Sequence, residues 1–243
     1  MKKITLIPVI LITLFLLSGA VNAQEIVNAD LDGDGCPDEI DYSPSVTNPD
    51  RIYVLYDEDN FADVAEFWQE EYQDTCEVEL IEAADVSVFM DAWNTLGRVD
   101  GKYMYNIDTV ILLYHGFDGY MIFRDSNVLT TEWLSNVYYS YTIDDLGPIM
   151  MDTLRLNICE AGTLERTSLD GEYNLAVGFL TGPFDIGHVV SSDGTYNFTC
   201  EPDIFDERSI SAVRGEEEQL VSYSLEGGKI VWEWVEPVCR IRN

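Results

Sequence analysis

Two residues in the middle of the chain have the types that thiol catalysis requires. His115 directly follows the apolar run 109–114, and Cys159 directly follows the run 154–158. A thiol attacks as its thiolate, so it needs an imidazole nearby to take its proton and to protonate the leaving amine. Gly116 follows the histidine, and a backbone N–H with no side chain in front of it suits a developing oxyanion. These residues predict nucleophilic catalysis by Cys159 with His115 as general acid and base.

The elements that must position these residues are predicted from hydropathy and from turn signals. Strands are expected at 51–56, 76–81, 109–114, 154–158, 174–180 and 229–235, with a short hairpin over 117–124. Helices are expected from Asn60 to Tyr72, from Asp85 to Leu96 and, more weakly, over 133–141. This alternation predicts an α/β domain with a largely parallel sheet. Because the carboxyl ends of parallel strands meet at one edge, His115 and Cys159 are expected to share a cleft.

Two short motifs resemble the caspase-like clan of cysteine peptidases, which includes caspases, legumain, clostripain and gingipains. They are Leu-Leu-Tyr-His-Gly at 112–116 and Leu-Asn-Ile-Cys-Glu-Ala-Gly at 156–162, the second most similar to legumain. The resemblance implies a caspase-hemoglobinase-like fold of three layers, with a mostly parallel sheet and helices on both faces. It also implies that Cys159 is the nucleophile, His115 the general acid/base and Gly116 an oxyanion donor acting on a peptide or protein substrate.

The same resemblance implies a substrate pocket lined by the segment 189–194. Glu160, Ser192 and Asp193 are the expected substrate-binding residues, and either Asp193 or Asp185 would select a basic side chain. The clan has Ala or Ser before the cysteine, whereas this chain has Ile158. That departure supports an alternative, a catalytically silent extracellular binding or toxin-associated module. Segments 89–96 and 192–196 also resemble C-terminal domains of bacterial RHS-repeat, toxin-like proteins.

An acidic loop near the N-terminus has the spacing of a calcium site. Its aspartates fall at positions 1, 3, 5, 9 and 12 of a twelve-residue loop, with Gly35 at position 6. Carboxylate oxygens in this spacing converge on Ca²⁺, and the glycine permits the sharp turn. The loop resembles thrombospondin type 3 and dockerin calcium motifs. The expected ligands to this structural Ca²⁺ are Asp30, Asp32, Asp34, Asp38 and Asp41.

The first 23 residues have the pattern of a secretory signal peptide. Lys2 and Lys3 precede an apolar stretch over 4–17, and Val-Asn-Ala at 21–23 offers a cleavage site. We therefore expect three segments: a signal peptide over 1–23, an acidic calcium-loop segment and linker over 24–50, and a caspase-like α/β domain over 51–243. The mature protein is expected to be secreted, extracellular or periplasmic.

Composition excludes some partners and raises a question about the cysteines. The 243 residues include 13 Lys and Arg against 45 Asp and Glu, a net charge of −32. This charge excludes a generic nucleic-acid binder and argues against docking on anionic membranes. Disulfides persist in secreted proteins, yet five cysteines leave one over. If Cys159 is that one, Cys36–Cys76 and Cys200–Cys239 are plausible pairs among several. A third interpretation is a calcium-stabilised structural domain in which Cys159 itself is disulfide-linked.

Overall fold

The computed structural model describes residues 47–117, 120–131, 140–159, 161–162, 174–192, 197–199, 208–211 and 220–235. The helices are α1 (Glu58–Tyr72), α2 (Val86–Trp93) and α3 (Leu175–Thr181), with a 3₁₀ turn at Ile143–Asp145. The strands are β1 (Asp50–Tyr56), β2 (Glu77–Glu82), β3 (Arg98–Val99), β4 (Lys102–Tyr103), β5 (Asn106–Leu113), β6 (His115–Phe117), β7 (Tyr120–Ile122), β8 (Val128–Thr130), β9 (Ser140–Thr142), β10 (Met150–Asn157), β11 (Asp185–Ser192), β12 (Asn197–Thr199), β13 (Arg208–Ser211), β14 (Leu220–Glu226) and β15 (Lys229–Val235). Among the residues in these ranges, no helix is long and apolar enough to cross a membrane.

The chain forms two compact units, one small and one large. The small unit comprises residues 1–49 and 98–106. In its described part, β3 and β4 form an antiparallel hairpin, and the guanidinium of Arg98 lies 4.5 Å from the centre of the Tyr103 ring. The large unit comprises residues 50–97 and 107–243. It contains all three helices, the main sheet and the candidate catalytic residues.

A seven-stranded mixed sheet with the order β15-β14-β11-β10-β5-β1-β2 forms the centre of the large unit. The pairs β1/β2, β5/β10 and β10/β11 are parallel, whereas β11/β14 and β14/β15 are antiparallel. Strand β5 is buried continuously from Thr109 to Leu113, as expected for a strand covered on both faces. The predicted α/β class with a mostly parallel sheet is confirmed.

Helices cover both faces of this sheet. Helix α1 packs on one face and forms a cluster, here called the α1 cluster, with residues of β1, β5 and β14; its buried members are Ile52, Val54, Phe61, Ala65, Phe67, Trp68, Ile111, Leu113 and Leu220. Successive side chains of a strand point to opposite faces, so Tyr114 faces away from Leu113. Tyr114 packs against Phe89 of α2, and Trp93 of α2 packs against Phe179 of α3. The three-layer arrangement follows from these contacts.

The prediction of a strand at 174–180 is wrong, because Leu175–Thr181 form helix α3. The side chain of Asn174 caps this helix: its Oδ1 accepts a hydrogen bond from the backbone N–H of Val177 at 2.7 Å. All residues from Leu175 to Leu180 are buried, so the run has no exposed face that would reveal a helical period. A uniformly buried apolar run is compatible with either element, and the asparagine cap and the tertiary packing select the helix.

Other boundaries also differ from expectation. Strands β11 and β14 were not predicted, although they supply two of the seven strands of the main sheet. The weak helix expected over 133–141 lies mostly outside the described residues, and Ser140 and Tyr141 belong to strand β9. The hairpin expected over 117–124 is present as β6 and β7, which pair antiparallel. They begin a separate four-stranded sheet with the order β6-β7-β8-β9.

Candidate active site

The chain is anchored immediately before His115. The ring of Tyr114 is fully buried against Phe89 and Phe123, and its hydroxyl donates a hydrogen bond to the carbonyl oxygen of Ala83 at 2.9 Å. Burial raises the pKa of Tyr114 well above its usual value, so the phenol stays neutral and keeps its donor proton. On the opposite face, Leu113 is fixed in the α1 cluster. The backbone that leads into His115 is therefore held from both sides of the sheet.

His115 begins β6, and its imidazole is exposed. The ring packs against Phe61, with the two ring centres 5.0 Å apart and the planes inclined at 54°. Phe61 lies near the start of α1, which is capped by Asp57 rather than by the predicted Asn60. The Asp57 carboxylate accepts hydrogen bonds from the backbone N–H of Asp59 at 3.2 Å and from the side chain of Asn60 at 2.6 Å. The cap thus places the phenyl ring on which the imidazole rests.

Cys159 follows β10, the strand next to β5 in the sheet. Its side chain is half-buried and packs against the same α1 cluster that contains Phe61. The last residues of the two strands, Asn157 and Leu113, are register partners, and β5 and β10 run parallel. The structure therefore brings the two predicted catalytic residues to one edge of the sheet and to one apolar cluster.

Gly116 provides the most direct evidence that the two segments adjoin. A Cβ atom built on Gly116 would overlap the Cγ2 atom of Ile158. It would also lie 2.8 Å from the carbonyl oxygen of Tyr120 and 3.1 Å from that of Cys159. Ile158, the departure from the clan pattern, is fully buried, and its side chain fills the space left by the missing Cβ. A glycine is thus required here for packing, independently of its predicted role as an oxyanion donor.

The segment after Cys159 passes close to the end of β11. The backbone N–H of Gly162 donates to the carbonyl oxygen of Ser192 at 2.9 Å, and a Cβ on Gly162 would lie 2.8 Å from the Cβ of Ser191.

Of the predicted substrate-binding residues, Ser192 is fully buried at the carboxyl end of β11. Glu160 and Asp193 lie outside the described residues, as do the five aspartates of the calcium loop. Within the described ranges, no group of three or more His, Cys, Asp or Glu residues is arranged to hold a metal ion.

Cys76 and Cys159 are the two cysteines in the described part of the chain, and no disulfide is found within that part. Cys76 lies at the opposite edge of the sheet, where its Sγ donates to the carbonyl oxygen of Asp50 at 3.1 Å. Its burial, together with the carboxylates of Asp108 and Asp50, raises the pKa of the Cys76 thiol. Cys36, Cys200 and Cys239 lie outside the described residues, so the disulfide pairing remains a prediction.

Two further residues lie near the candidate site and were not predicted from the sequence: Phe61, which contacts His115, and Asn157, the last residue of β10. Phe61 was expected on the buried face of a helix, but nothing in its spacing indicated a contact with His115. Asn157 is only 1% exposed, although an amide within an apolar strand is uncommon at that degree of burial. Its polar type within a buried stretch, two positions before Cys159, was the signal that could have identified Asn157.

The arrangement has the parts that thiol chemistry on a carbonyl group requires. A half-buried thiol and an exposed imidazole contact one apolar cluster, and a glycine backbone lies beside the cysteine. No protein-family model, curated protein or solved structure matches this chain.

Proposed function

We propose that the protein is a secreted cysteine endopeptidase in which Cys159 is the nucleophile and His115 the general acid and base. The observation that carries the proposal is the position of both residues at the carboxyl ends of the adjacent parallel strands β5 and β10. Active sites of open α/β sheets form at this edge. The contact between Gly116 and the Ile158–Cys159 segment supports the same assignment.

The proposed reaction uses these residues in sequence. His115 accepts the thiol proton, and the Cys159 thiolate attacks the carbonyl carbon of the peptide bond. The backbone N–H of Gly116 stabilises the oxyanion that forms. The imidazolium then protonates the leaving amine as the C–N bond breaks and leaves a thioester. Water, deprotonated by His115, hydrolyses the thioester, which releases the carboxylic acid and regenerates the thiol.

The reactivity of Cys159 tests this proposal without knowledge of the substrate. The protein is treated with iodoacetamide across pH 5–9 in calcium, and modification of each cysteine is followed by mass spectrometry of its peptide. Cys76 serves as an internal reference, because its raised pKa keeps it a thiol at neutral pH. We expect Cys159 to react at least roughly tenfold faster than Cys76 at pH 6–7.

Substitution of the histidine completes this test. His115→Ala should slow Cys159 toward the rate of Cys76 and leave the Cys76 rate unchanged. His188→Ala, which removes the other, exposed histidine, is the matched control and should change neither rate. Equal reactivity of the two cysteines, or a Cys159 rate that His115→Ala does not alter, would contradict the proposal. That result favours the catalytically silent binding module.

We further propose that the N-terminal loop binds calcium as a structural ion. A ligand that binds only the folded state stabilises it by about 2.7 kcal/mol at a hundredfold excess over its Kd. Calcium should therefore raise the melting temperature and protect residues 24–50 from proteolysis. Asp30→Asn with Asp34→Asn should remove both effects, and magnesium at equal concentration should not reproduce them. If calcium changes neither property, the loop is an acidic linker.

A further inference from the structure

Asn157 has a buried side-chain amide that makes no hydrogen bond with the described residues around it. The residue is 1% exposed, and neither its Oδ1 nor its Nδ2 has a hydrogen-bond partner among the described residues. A buried polar atom without a partner costs roughly 1–3 kcal/mol, and such atoms are rare enough in folded proteins to require an explanation. Asn157 has two of them in one side chain, at the last position of β10.

The location of this amide points to the candidate catalytic residues. Asn157 is the register partner of Leu113, and laterally paired residues of a parallel sheet point to the same face. Leu113 belongs to the α1 cluster, so the amide also faces helix α1. His115 follows Leu113 by two residues, and Cys159 follows Asn157 by two. Asn157 therefore lies one strand spacing from the segment that leads into His115, and two residues before the cysteine.

The contact between His115 and Phe61 does not determine which imidazole nitrogen carries the proton, so a hydrogen-bond acceptor could have that role. His115 rests on the ring of Phe61, a member of the α1 cluster. A phenyl ring limits the tilt of an imidazole but offers no acceptor, so it does not select which ring nitrogen carries the proton. A general base requires that selection, because the nitrogen facing the thiol must be unprotonated. An amide oxygen that accepts a hydrogen bond from one ring nitrogen would fix the proton there and leave the other nitrogen unprotonated.

We infer that Asn157 is a positioning residue: the exposed imidazole of His115 turns so that its N–H donates to the amide oxygen of Asn157, which has no partner among the described residues, and its other ring nitrogen then faces Cys159. This inference rests on the proposed function. It explains why an unsatisfied amide occupies an apolar layer at the end of β10. The Arg155 side chain, on the same face of β10, is engaged elsewhere, since its guanidinium lies 5.2 Å from the Trp68 ring centre.

Asn157→Leu tests the inference, because leucine has the same branching as asparagine and no polar atoms. Asn157→Leu removes one hydrogen bond to an exposed imidazole together with the unpartnered Nδ2, so the melting temperature should change little. The alkylation rate of Cys159 at pH 6–7 should nevertheless fall by about tenfold or more. Ser140→Ala is the matched control, because Ser140 is buried, its Oγ has no partner among the described residues, and it lies in β9 of the separate four-stranded sheet. It should leave the Cys159 rate unchanged.

A spectroscopic measurement separates positioning from packing. Long-range ¹H–¹⁵N spectra report the tautomer of each imidazole, and His188→Gln identifies the signals of His115, since the chain has two histidines. We expect one dominant tautomer of His115 in the wild type and a mixture in Asn157→Leu. If Asn157→Leu reacts at the wild-type rate, the amide serves a buried water or packing and the inference is wrong. A mixture of tautomers in the wild type overturns it even if the variant does not fold.

The two proposals fail in different ways. If His115→Ala leaves the reactivity of Cys159 unchanged, the proposed function is wrong whatever Asn157 does. If His115→Ala slows Cys159 but Asn157→Leu does not, the function stands and the positioning role is wrong.

Discussion

Cleavage of peptides by the protein should fall roughly a thousandfold or more in Cys159→Ala. The substitution removes the atom that forms the covalent bond to the substrate, and loss of a nucleophile commonly costs this much or more. Cys159 is half-buried beside the α1 cluster, so replacing its sulfur with hydrogen should leave the fold intact. The measurement is the initial rate of cleavage of a fluorogenic peptide library, with calcium present.

Cys76→Ala is the matched control for this prediction. It removes the other described thiol, which lies at the opposite edge of the sheet and donates to the carbonyl oxygen of Asp50. Cleavage by Cys76→Ala should remain near the wild-type rate. Cleavage that survives in Cys159→Ala would assign the activity to another site or to a contaminant. No cleavage by the wild type, with a slowly reacting Cys159, would favour the catalytically silent module.

Gly116→Ala should lower the free energy of unfolding by about 3 kcal/mol, the upper end of the cost of overpacking. The added Cβ would overlap the Cγ2 atom of Ile158 and would lie 2.8 Å from a backbone carbonyl oxygen. A flexible side chain could move aside, but Ile158 is fully buried and Tyr120 contributes backbone. Urea unfolding of the two proteins measures the difference.

A double-mutant cycle identifies the contact responsible. Ile158→Leu removes the β-branch at nearly constant volume, so it should reduce the cost of Gly116→Ala by about 1 kcal/mol. Ile158→Val keeps the branch and should leave that cost unchanged, which makes it the matched control. The rescue should be partial, because the carbonyl oxygen of Tyr120 remains. A Gly116→Ala protein as stable as the wild type would show that the two segments do not adjoin as described.

The packing role of Gly116 changes how the site is interpreted. A glycine after the histidine was expected because an oxyanion needs an open N–H. The structure gives a second and independent reason, the close approach of Ile158. Loss of activity in Gly116→Ala alone would therefore not demonstrate an oxyanion donor. Activity should be compared among variants of equal stability, such as Gly116→Ala in the Ile158→Leu background.

The strands that carry the catalytic candidates could be predicted from the sequence because their signals are local. Residues 109–114 and 154–158 are apolar runs of the length of a buried strand, and each ends at a residue of catalytic type. The burial of β5 and of most of β10 and their parallel pairing agree with that prediction. The position of His115 and Cys159 at one edge of the sheet then follows from the geometry of parallel strands.

Only the tertiary structure decided the features that depend on what surrounds a residue. The run 174–180 forms a helix because Asn174 caps it and both of its sides are covered, a choice that its uniform apolar pattern could not reveal. The contact of Phe61 with His115 and the overlap that makes Gly116 obligatory each join segments distant in sequence, and the burial that leaves the Asn157 amide without a partner among the described residues also comes from tertiary packing. The sequence determined which residue types stand at the strand ends, because side-chain type and strand length are local properties. Their partners were decided by packing, which is not local.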